Sequence, residues 1–319
     1  MPAAFTEGAA RQDRALGCLL GLAVGDALGT TLEFARRDSR PAVTDMVGGG
    51  PFGLPAGAWT DDTSMALCLA ESLLARGRVD PYDVMTRFVR WYRDGHNSVT
   101  GTCFDIGNAT RAALERFLRT GDPLAGSTDP RSAGNGSVMR LAPVALFWHD
   151  DPDAAIDAAR TQSLTTHAAP AAVEGCALLA AILLDAIAGA PREVVLRPRG
   201  PSGHPTDDPA IAAVAAGSWR GRPRAAIRSS GYVVDTLEAA LWAVSEASGF
   251  AEAVLLAANL GDDADTVAAV TGQIAGALWG AGAIPASWRR TLAWAPRIEE
   301  LGRRLFTRDI DSPVPPHSM

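Results

Sequence analysis

The chain has 319 residues, of which 47% are hydrophobic and 20% are charged. This composition is typical of a globular protein with a substantial core. The formal net charge of −7 argues against general binding to a nucleic-acid backbone. Glycine is abundant and only 6% of residues are aromatic, a balance that favours closely packed helices over a β-sandwich.

The four cysteines are widely spaced, form no Cys-x-x-Cys pair and have mostly apolar neighbours. This pattern indicates buried thiols in a reducing compartment, so we expect a cytoplasmic protein without disulfides or a zinc site. Residues 15–25 resemble a short signal-peptide core, but Asp26 interrupts the apolar run that follows. Residues 171–190 contain Glu174 and Asp185, which would both lie in lipid. We therefore expect two core helices and no membrane partner.

Helical periodicity dominates, and no convincing alternating strand pattern occurs. Taken in chain order, the predicted helices cover about residues 11–29, 62–76, 81–94, 107–119, 152–164, 168–189, 207–217, 232–248, 250–259, 265–280 and 287–306. Residues 191–209 are rich in Arg, Pro and Gly and predict a flexible surface loop. We expect one compact all-α domain, an orthogonal helical bundle over residues 11–306, with flexible termini at 1–10 and 307–319.

Glycines recur every four residues in the first predicted helix and again near the end of the chain. They are Gly17, Gly21, Gly25 and Gly29 in one case and Gly272, Gly276 and Gly280 in the other. Residues with this spacing lie along one ridge of a helix, where glycine allows another backbone to approach closely. A glycine-rich composition also produces such a register by chance. If the two ridges pack together, the helix over residues 265–280 lies deep in the core.

Two acidic runs, residues 59–63 and 261–266, each place carboxylates beside threonine hydroxyls at the start of a predicted helix. Either run alone is explained as an N-cap, because Asp and Thr are favoured there and the helix dipole stabilises negative charge. Adjacent carboxylates repel one another unless a cation lies between them. Two such runs therefore predict a cage of hard oxygen ligands that suits Mg²⁺ or Mn²⁺.

Four motifs follow one another along the chain: Gly-Leu-Ala-Val-Gly-Asp-Ala-Leu-Gly at 21–29 with Glu33, Thr-Asp-Asp-Thr at 60–63, Asn-Gly-Ser-Val-Met-Arg at 135–140 and Gly-Asp-Asp-Ala-Asp-Thr at 261–266. In this order they carry a resemblance to the ADP-ribosylglycohydrolase family, and most closely to the bacterial dinitrogenase-reductase-activating glycohydrolases. It runs in order from about residue 11 to 306. Each motif alone is weak, but the ordered series is highly specific.

The resemblance implies a compact all-α fold with two divalent cations, Mg²⁺ or Mn²⁺, in a cleft. Its implied metal ligands are Thr60, Asp61, Asp62, Asp263, Asp265 and Thr266. Asp262 stands where many relatives have glycine, and we expect it to face solvent or an outer shell.

The resemblance also implies the substrate contacts. Glu33 corresponds to the acidic residue near the ribose, and Asp105 is placed as a second carboxylate that assists the departing guanidine. The implied substrate-binding residues are Asn108, the diphosphate loop Ser132, Gly134, Asn135, Gly136 and Ser137, and His167 beside the ribose. A purely structural role explains a lone histidine at a helix start equally well. Ala133 replaces an aromatic that stacks on the substrate in some relatives, which leaves Tyr232 as a candidate for the adenosine contact; plain packing at a helix start explains Tyr232 equally well.

The implied reaction is hydrolysis of the N-glycosidic bond between C1″ of ADP-ribose and a modified arginine side chain. The expected partner is an ADP-ribosylated protein or small molecule, and ADP-ribose is the expected product. One alternative keeps the fold and metals but cleaves O-linked ADP-ribose, on serine or in O-acetyl-ADP-ribose, or acts on an ADP-ribosylated small molecule. Another is a catalytically silent protein of the same fold that binds ADP-ribose or serves a structural role.

Overall fold

The computed structural model describes residues 7–199 and 206–310, and this part of the chain folds into α-helices without a β-strand. The helices are α1 Glu7–Gly29, α2 Asp61–Arg76, α3 Pro81–Asp94, α4 Asn108–Thr120, α5 Ala142–Phe147, α6 Pro152–Leu164, α7 Pro170–Ile187, α8 Arg192–Val195, α9 Pro209–Ala215, α10 Val233–Glu246, α11 Phe250–Ala258, α12 Ala264–Trp279, α13 Ala286–Thr291 and α14 Ala295–Thr307. The all-α prediction is confirmed.

Several boundaries differ from the prediction. Helix α1 begins at Glu7, so residues 7–10 are helical, and the rest of the predicted flexible termini lies outside the described residues apart from 307–310. The single helix predicted over 287–306 is wrong, because Trp294 adopts a left-handed φ of 57° that separates α13 from α14. Within the predicted loop at 191–209, residues 192–195 form α8, while 200–205 lie outside the described residues.

Helix α5 was absent from the prediction. Its six residues are all buried and apolar, and Pro143 stands in its first turn. A short apolar run of this length shows no amphipathic period, because every side of the helix packs against protein. The helix is therefore identifiable only from its tertiary surroundings.

The two glycine ridges pack directly against each other, which is the close helix contact that their spacing favoured over a chance register. A Cβ atom added to Gly21 would lie 2.1 Å from the carbonyl oxygen of Gly272, and one added to Gly276 would lie 1.8 Å from that of Gly17. Toward the other end of α1, a Cβ on Gly29 would lie 2.3 Å from the carbonyl oxygen of Ala264. The contacts run in opposite directions along the two helices. The last turn of α1 therefore meets the first turn of α12.

Helices α1 and α7 are long and apolar enough to cross a membrane by length and composition. The corresponding 18-residue windows are 89% and 78% buried inside the protein. Both helices therefore serve as core elements of the bundle described here. All four cysteines are free thiols, and Cys18, Cys68 and Cys176 are buried.

Candidate metal centre

Helix α1 brings the two acidic runs together. Its antiparallel packing on α12 places Ala264 and the adjoining Asp263 and Asp265 beside its C-terminal end. From that same end, Asp26 contacts the first turn of α2, which carries Asp61 and Asp62. The two N-termini thus converge because each is fixed to one buried helix.

Asp26 is a buried residue of the site that the sequence analysis did not select. Its Oδ1 accepts hydrogen bonds from the backbone N–H and the hydroxyl of Thr60, both at 2.8 Å. Its Oδ2 accepts from the backbone N–H of Thr63 at 3.0 Å and from the Thr63 hydroxyl at 2.6 Å. The Asp26 carboxylate from α1 thus caps the N-terminus of α2, a role that the side chain of the N-cap residue, Thr60, would ordinarily have. The sequence feature that could have identified Asp26 is a single carboxylate in the otherwise apolar stretch of α1 that carries the recurring glycines.

Carboxylate oxygens from both runs lie close enough to share cations. Three triads each have ligand atoms within 4.8 Å of one another: Asp26 with Asp62 and Asp265, Glu33 with Asp263 and Asp265, and Asp61 with Asp105 and Asp265. Asp265 belongs to all three and is 2% exposed.

The two threonines of the predicted ligand set lie at the same centre. The Thr60 hydroxyl is 3.2 Å from Asp265 Oδ2, and the Thr266 hydroxyl is 3.4 Å from Asp62 Oδ2. Each threonine therefore approaches a carboxylate of the other run. The structure brings all six predicted ligands to one place.

Glu33 and Asp105 approach this centre from two loops. Asp105 has a left-handed φ of 59°, an uncommon conformation for a residue with a side chain. Two backbone hydrogen bonds join the Glu33 loop to the segment that precedes α12. They run from Phe34 N–H to Asp262 O at 2.7 Å and from Asp262 N–H to Ala35 O at 2.8 Å. Asp262 itself is exposed, as the sequence analysis expected.

The carboxylates of the centre fit divalent cations. Burial, together with the charges of neighbouring carboxylates, raises the pKa of Asp263 to about 8 and that of Asp265 to about 7. The pKa of Glu33 is also raised, first by burial and then by the negative charges of Asp265 and Asp105. Three buried carboxylate oxygens, Glu33 Oε2, Asp62 Oδ1 and Asp105 Oδ2, have no hydrogen-bond partner in the described residues. Unpaired buried oxygens of this kind are ligand positions for a hard cation.

A cleft of about 860 Å³ opens over the centre and reaches the predicted substrate-binding loop. Its lining includes Glu33, Asp61, Asp105, Asn108, Gly134, Asn135, Gly136, His167, Asp263, Asp265 and Thr266. Thr60 and Asp62 lie fully buried beneath it.

Asn135 links the loop to the carboxylate centre. Its Nδ2 donates to Asp263 Oδ2 at 2.6 Å and to the Thr236 hydroxyl at 2.9 Å. The backbone N–H groups of Gly136 and Ser137 donate to no carbonyl oxygen within the described part of the chain. Such free amide donors suit a ligand phosphate.

Three predicted substrate-binding side chains are placed away from this cleft. The Ser137 hydroxyl accepts a hydrogen bond from Ser163, and Ser137 as a whole is fully buried. The Ser132 hydroxyl donates to the Asp129 carbonyl at 2.7 Å. Tyr232 is 40% exposed and lines a neighbouring cavity of about 630 Å³. Ser230 and Asp262 border both cavities, so Tyr232 lies next to the cleft and outside it.

His167 lies beneath the glycines of the loop. A Cβ added to Gly136 would lie 2.6 Å from His167 Cε1. The imidazole and the loop backbone are thus in direct contact, which explains why glycine is needed there. Burial, with a smaller effect from the Arg140 charge, lowers the pKa of His167 to about 3.

The family model for ADP-ribosylglycohydrolase matches residues 7–313. The chain is 55% identical over 296 residues to the ADP-ribosylarginine hydrolase Tri1 of Pseudomonas putida, covering 93% of this chain and 78% of that one. It is 50% identical over 295 residues to the protein of the same name in Serratia proteamaculans, with 92% and 79% covered.

The dinitrogenase-reductase-activating glycohydrolases, which the sequence motifs resemble most, are represented by a relative of lower sequence identity. The ADP-ribosyl-[dinitrogen reductase] glycohydrolase of Rhodospirillum rubrum is 32% identical over 285 residues, covering 88% of this chain and 90% of that one. A solved structure described as an ADP-ribosylglycohydrolase-related protein complex superposes with a TM-score of 0.83 at 47% identity, covering 94% of this chain and 99% of its own. The chain belongs to the ADP-ribosylglycohydrolase family.

Proposed function

We propose that this protein is a metal-dependent hydrolase that removes ADP-ribose from modified arginine side chains. The observation that carries the proposal is the convergence of two helix N-termini and two loops on one carboxylate centre at the floor of the cleft. The choice of arginine follows from the two relatives named ADP-ribosylarginine hydrolases, which align over more than nine-tenths of this chain.

The proposed cation ligands are the six acidic and hydroxyl residues at the two N-termini. Two divalent cations, Mg²⁺ or Mn²⁺, when bound, supply positive charge that orients sugar hydroxyls and lowers the pKa of water. Asp26 fixes Thr60 and the first turn of α2 through four hydrogen bonds. Asn135 orients Asp263 in the same way from the loop.

Glu33 is the proposed proton acceptor or charge stabiliser for the ribose. Breaking the glycosidic bond develops oxocarbenium character on the sugar, and a buried carboxylate beside it stabilises that charge. Asp105, whose burial raises its pKa to about 7, is the proposed acid for the departing guanidine. The acidic cleft also favours a cationic guanidinium aglycone.

The proposed diphosphate contacts come from the loop around Gly134 and Gly136, where the backbone amides of Gly136 and Ser137 donate to no carbonyl oxygen of the described residues. Asn108 and His167 line the same cleft. Tyr232 is proposed to contact adenosine only if the ligand extends past Ser230 into the neighbouring cavity. The natural partner is proposed to be an ADP-ribosylated protein, and the four free thiols agree with a cytoplasmic location.

The test measures released ADP-ribose from defined substrates. Arginine-linked, serine-linked and O-acetyl-ADP-ribose are incubated with Mg²⁺, with Mn²⁺ or with EDTA. We expect metal-dependent release from the arginine-linked substrate and little from the others. Preferential release from an O-linked substrate would replace the arginine assignment, and tight ADP-ribose binding without any release would indicate a silent binding protein.

A further inference from the structure

The two ring nitrogens of His167 have different surroundings. Nδ1 lies 2.8 Å from the Thr166 hydroxyl. Nε2 has no hydrogen-bond partner in the described residues, although the side chain is only 3% exposed and lines the cleft. A Cβ on Gly136 or Gly134 would lie 3.0 or 3.3 Å from Nε2, which places that nitrogen directly beneath the loop.

Arg140 determines which way the Thr166 hydroxyl points. Arg140 Nη2 donates to Thr166 Oγ1 at 2.9 Å, and a guanidinium can only donate. The hydroxyl oxygen is therefore already an acceptor from Arg140, and its single proton is free for the His167 contact. The oxygen can accept a second hydrogen bond, but within the described residues the hydroxyl proton has no acceptor other than Nδ1, so Nδ1 accepts it. In a neutral imidazole whose Nδ1 accepts, the ring proton lies on Nε2.

Arg140 is itself rigidly held for this purpose. It is fully buried, its Nε donates to Gln162 Oε1 at 2.9 Å, and the Phe88 ring lies 4.6 Å from its guanidinium carbon. No carboxylate forms an ion pair with it within the described ranges. A buried guanidinium without a carboxylate is costly unless its donors are used. Here Arg140 Nη2 donates to the Gln162 carbonyl oxygen and to the hydroxyls of Thr165 and Thr166.

We propose that Arg140 and Thr166 are positioning residues that hold His167 as the neutral Nε2–H tautomer, so that it donates a hydrogen bond to an oxygen of bound ADP-ribose. The ligand half of this inference rests on the proposed function. The low pKa of His167 agrees with a donor that stays uncharged across the physiological range. The contact therefore supplies direction to the ligand oxygen without adding charge to the cleft.

The tautomer is measured first, in the free protein. Protein labelled with ¹⁵N-histidine contains five histidines, and His167→Gln identifies the signal of interest. At pH 7 we expect the ¹⁵N shifts of wild-type His167 to report a protonated Nε2 and an unprotonated Nδ1. A proton on Nδ1, or an imidazolium, would overturn the proposal without reference to any substrate or any further variant.

The matched variants are Thr166→Val and Thr166→Ser. Valine keeps the shape of threonine but removes the hydroxyl, whereas serine keeps the hydroxyl. We expect Thr166→Val to give a mixture of tautomers and to weaken ADP-ribose binding about tenfold, a change of about 1.4 kcal/mol. Thr166→Ser should keep the wild-type tautomer and an affinity within about twofold.

Two further measurements identify which ligand oxygen His167 contacts and at which step the contact acts. Calorimetry with ADP as well as ADP-ribose separates its two sources, because a diphosphate contact weakens both ligands and a ribose contact weakens only ADP-ribose. With arginine-linked substrate, Thr166→Val should raise KM with little change in kcat, since the contact is made before the chemical step. Unchanged tautomer and unchanged affinity in Thr166→Val would overturn the proposal. The wild-type protein could show the Nε2–H tautomer, and Thr166→Val could weaken ADP-ribose binding, while neither releases ADP-ribose from arginine. That result would support this inference and refute only the proposed function.

Discussion

At the scale of single residues, the fold holds the carboxylates of the centre at distances where their negative charges repel one another. Asp265 and Asp105 raise the pKa of Glu33, and Asp105 raises that of Asp265, whereas hydrogen bonding with Glu33 and Asp265 lowers the pKa of Asp105. Burial has the largest effect on each pKa, because it removes water from the charged form. A cation reverses this balance by making the charged form favourable.

Glu33→Gln should separate chemistry from binding. The amide keeps the shape of the side chain but cannot accept a proton, so we expect kcat on arginine-linked substrate to fall by ~10²–10⁴. The affinity for ADP-ribose, measured by calorimetry, should change much less. Glu246→Gln, at an exposed position at the end of α10, serves as the control. Near-normal kcat in Glu33→Gln would remove this residue from the mechanism.

Asp263→Asn tests the ligand set through stability. The proposed Asp263 contact gives the metal-bound state part of its stabilisation, which is about 2.7 kcal/mol at a hundredfold excess of metal over Kd. We expect the Mn²⁺-induced rise in Tm to shrink markedly. Asp262→Asn is a close control, since it is adjacent and exposed and its φ of 56° is tolerated by asparagine. An equal Mn²⁺ shift in wild type and Asp263→Asn would show that Asp263 is not a ligand.

At the scale of elements, α1 is the part of the fold that makes the site. Its glycine ridge admits the α12 backbone, and Asp26 in its last turns caps α2. Glycine within a helix costs about 0.5–1 kcal/mol relative to alanine, and here the close contact between α1 and α12 compensates. Both functional N-termini depend on this one packing arrangement.

Gly272→Ala should be strongly destabilising. The added Cβ would lie 1.9 Å from the carbonyl oxygen of Gly21, and a backbone atom cannot move aside without separating the helices. We expect a loss of at least about 3–4 kcal/mol, measured from the midpoint of urea unfolding. Gly8→Ala, in the first turns of α1, meets nothing within 4 Å and should be neutral or slightly stabilising. Equal unfolding midpoints for the two variants would contradict the packing described here.

At the scale of the whole molecule, the carboxylate centre couples folding to pH and, through the proposed cations, to metal. In the metal-free folded protein the pKa of Asp263 is about 8 and those of Asp265 and Asp105 are about 7, all above the ordinary value of 3.8. Between about pH 4 and 8 the folded state therefore binds protons that the unfolded chain has released. Its stability falls as pH rises through this window, with a slope of about 1.4 kcal/mol per pH unit for each proton retained.

The Tm measured from pH 5 to 8 should therefore decrease with rising pH in EDTA. In Mn²⁺ the decrease should be smaller or absent, because the cation displaces the protons and binds more tightly as pH rises. The difference in Tm between the two conditions should grow toward pH 8. A metal-free Tm that rises through this range would show that these carboxylates are not held protonated in the folded state.

The helices and the residues that converge at the carboxylate centre were largely predictable from the sequence. Periodicity predicted most helices to within a few residues, although it joined α13 to α14 and missed α5 and α8. The break at Trp294 is set by a left-handed residue that ring contacts hold in place, and periodicity does not report such a contact. The roles of the ligand residues remain predictions for the experiments above.

The sequence by itself determined the fold class, the glycine ridges and the types of residue that make up the centre, because these depend on local periodicity and spacing. Tertiary structure decided how they combine. Asp26 acts across 34 residues on Thr60, and the Ser137 hydroxyl turns inward to Ser163. Arg140 reaches His167 only through Thr166. Each depends on the direction of a side chain in a packed interior, and that direction is fixed by contacts between segments that lie far apart in the chain.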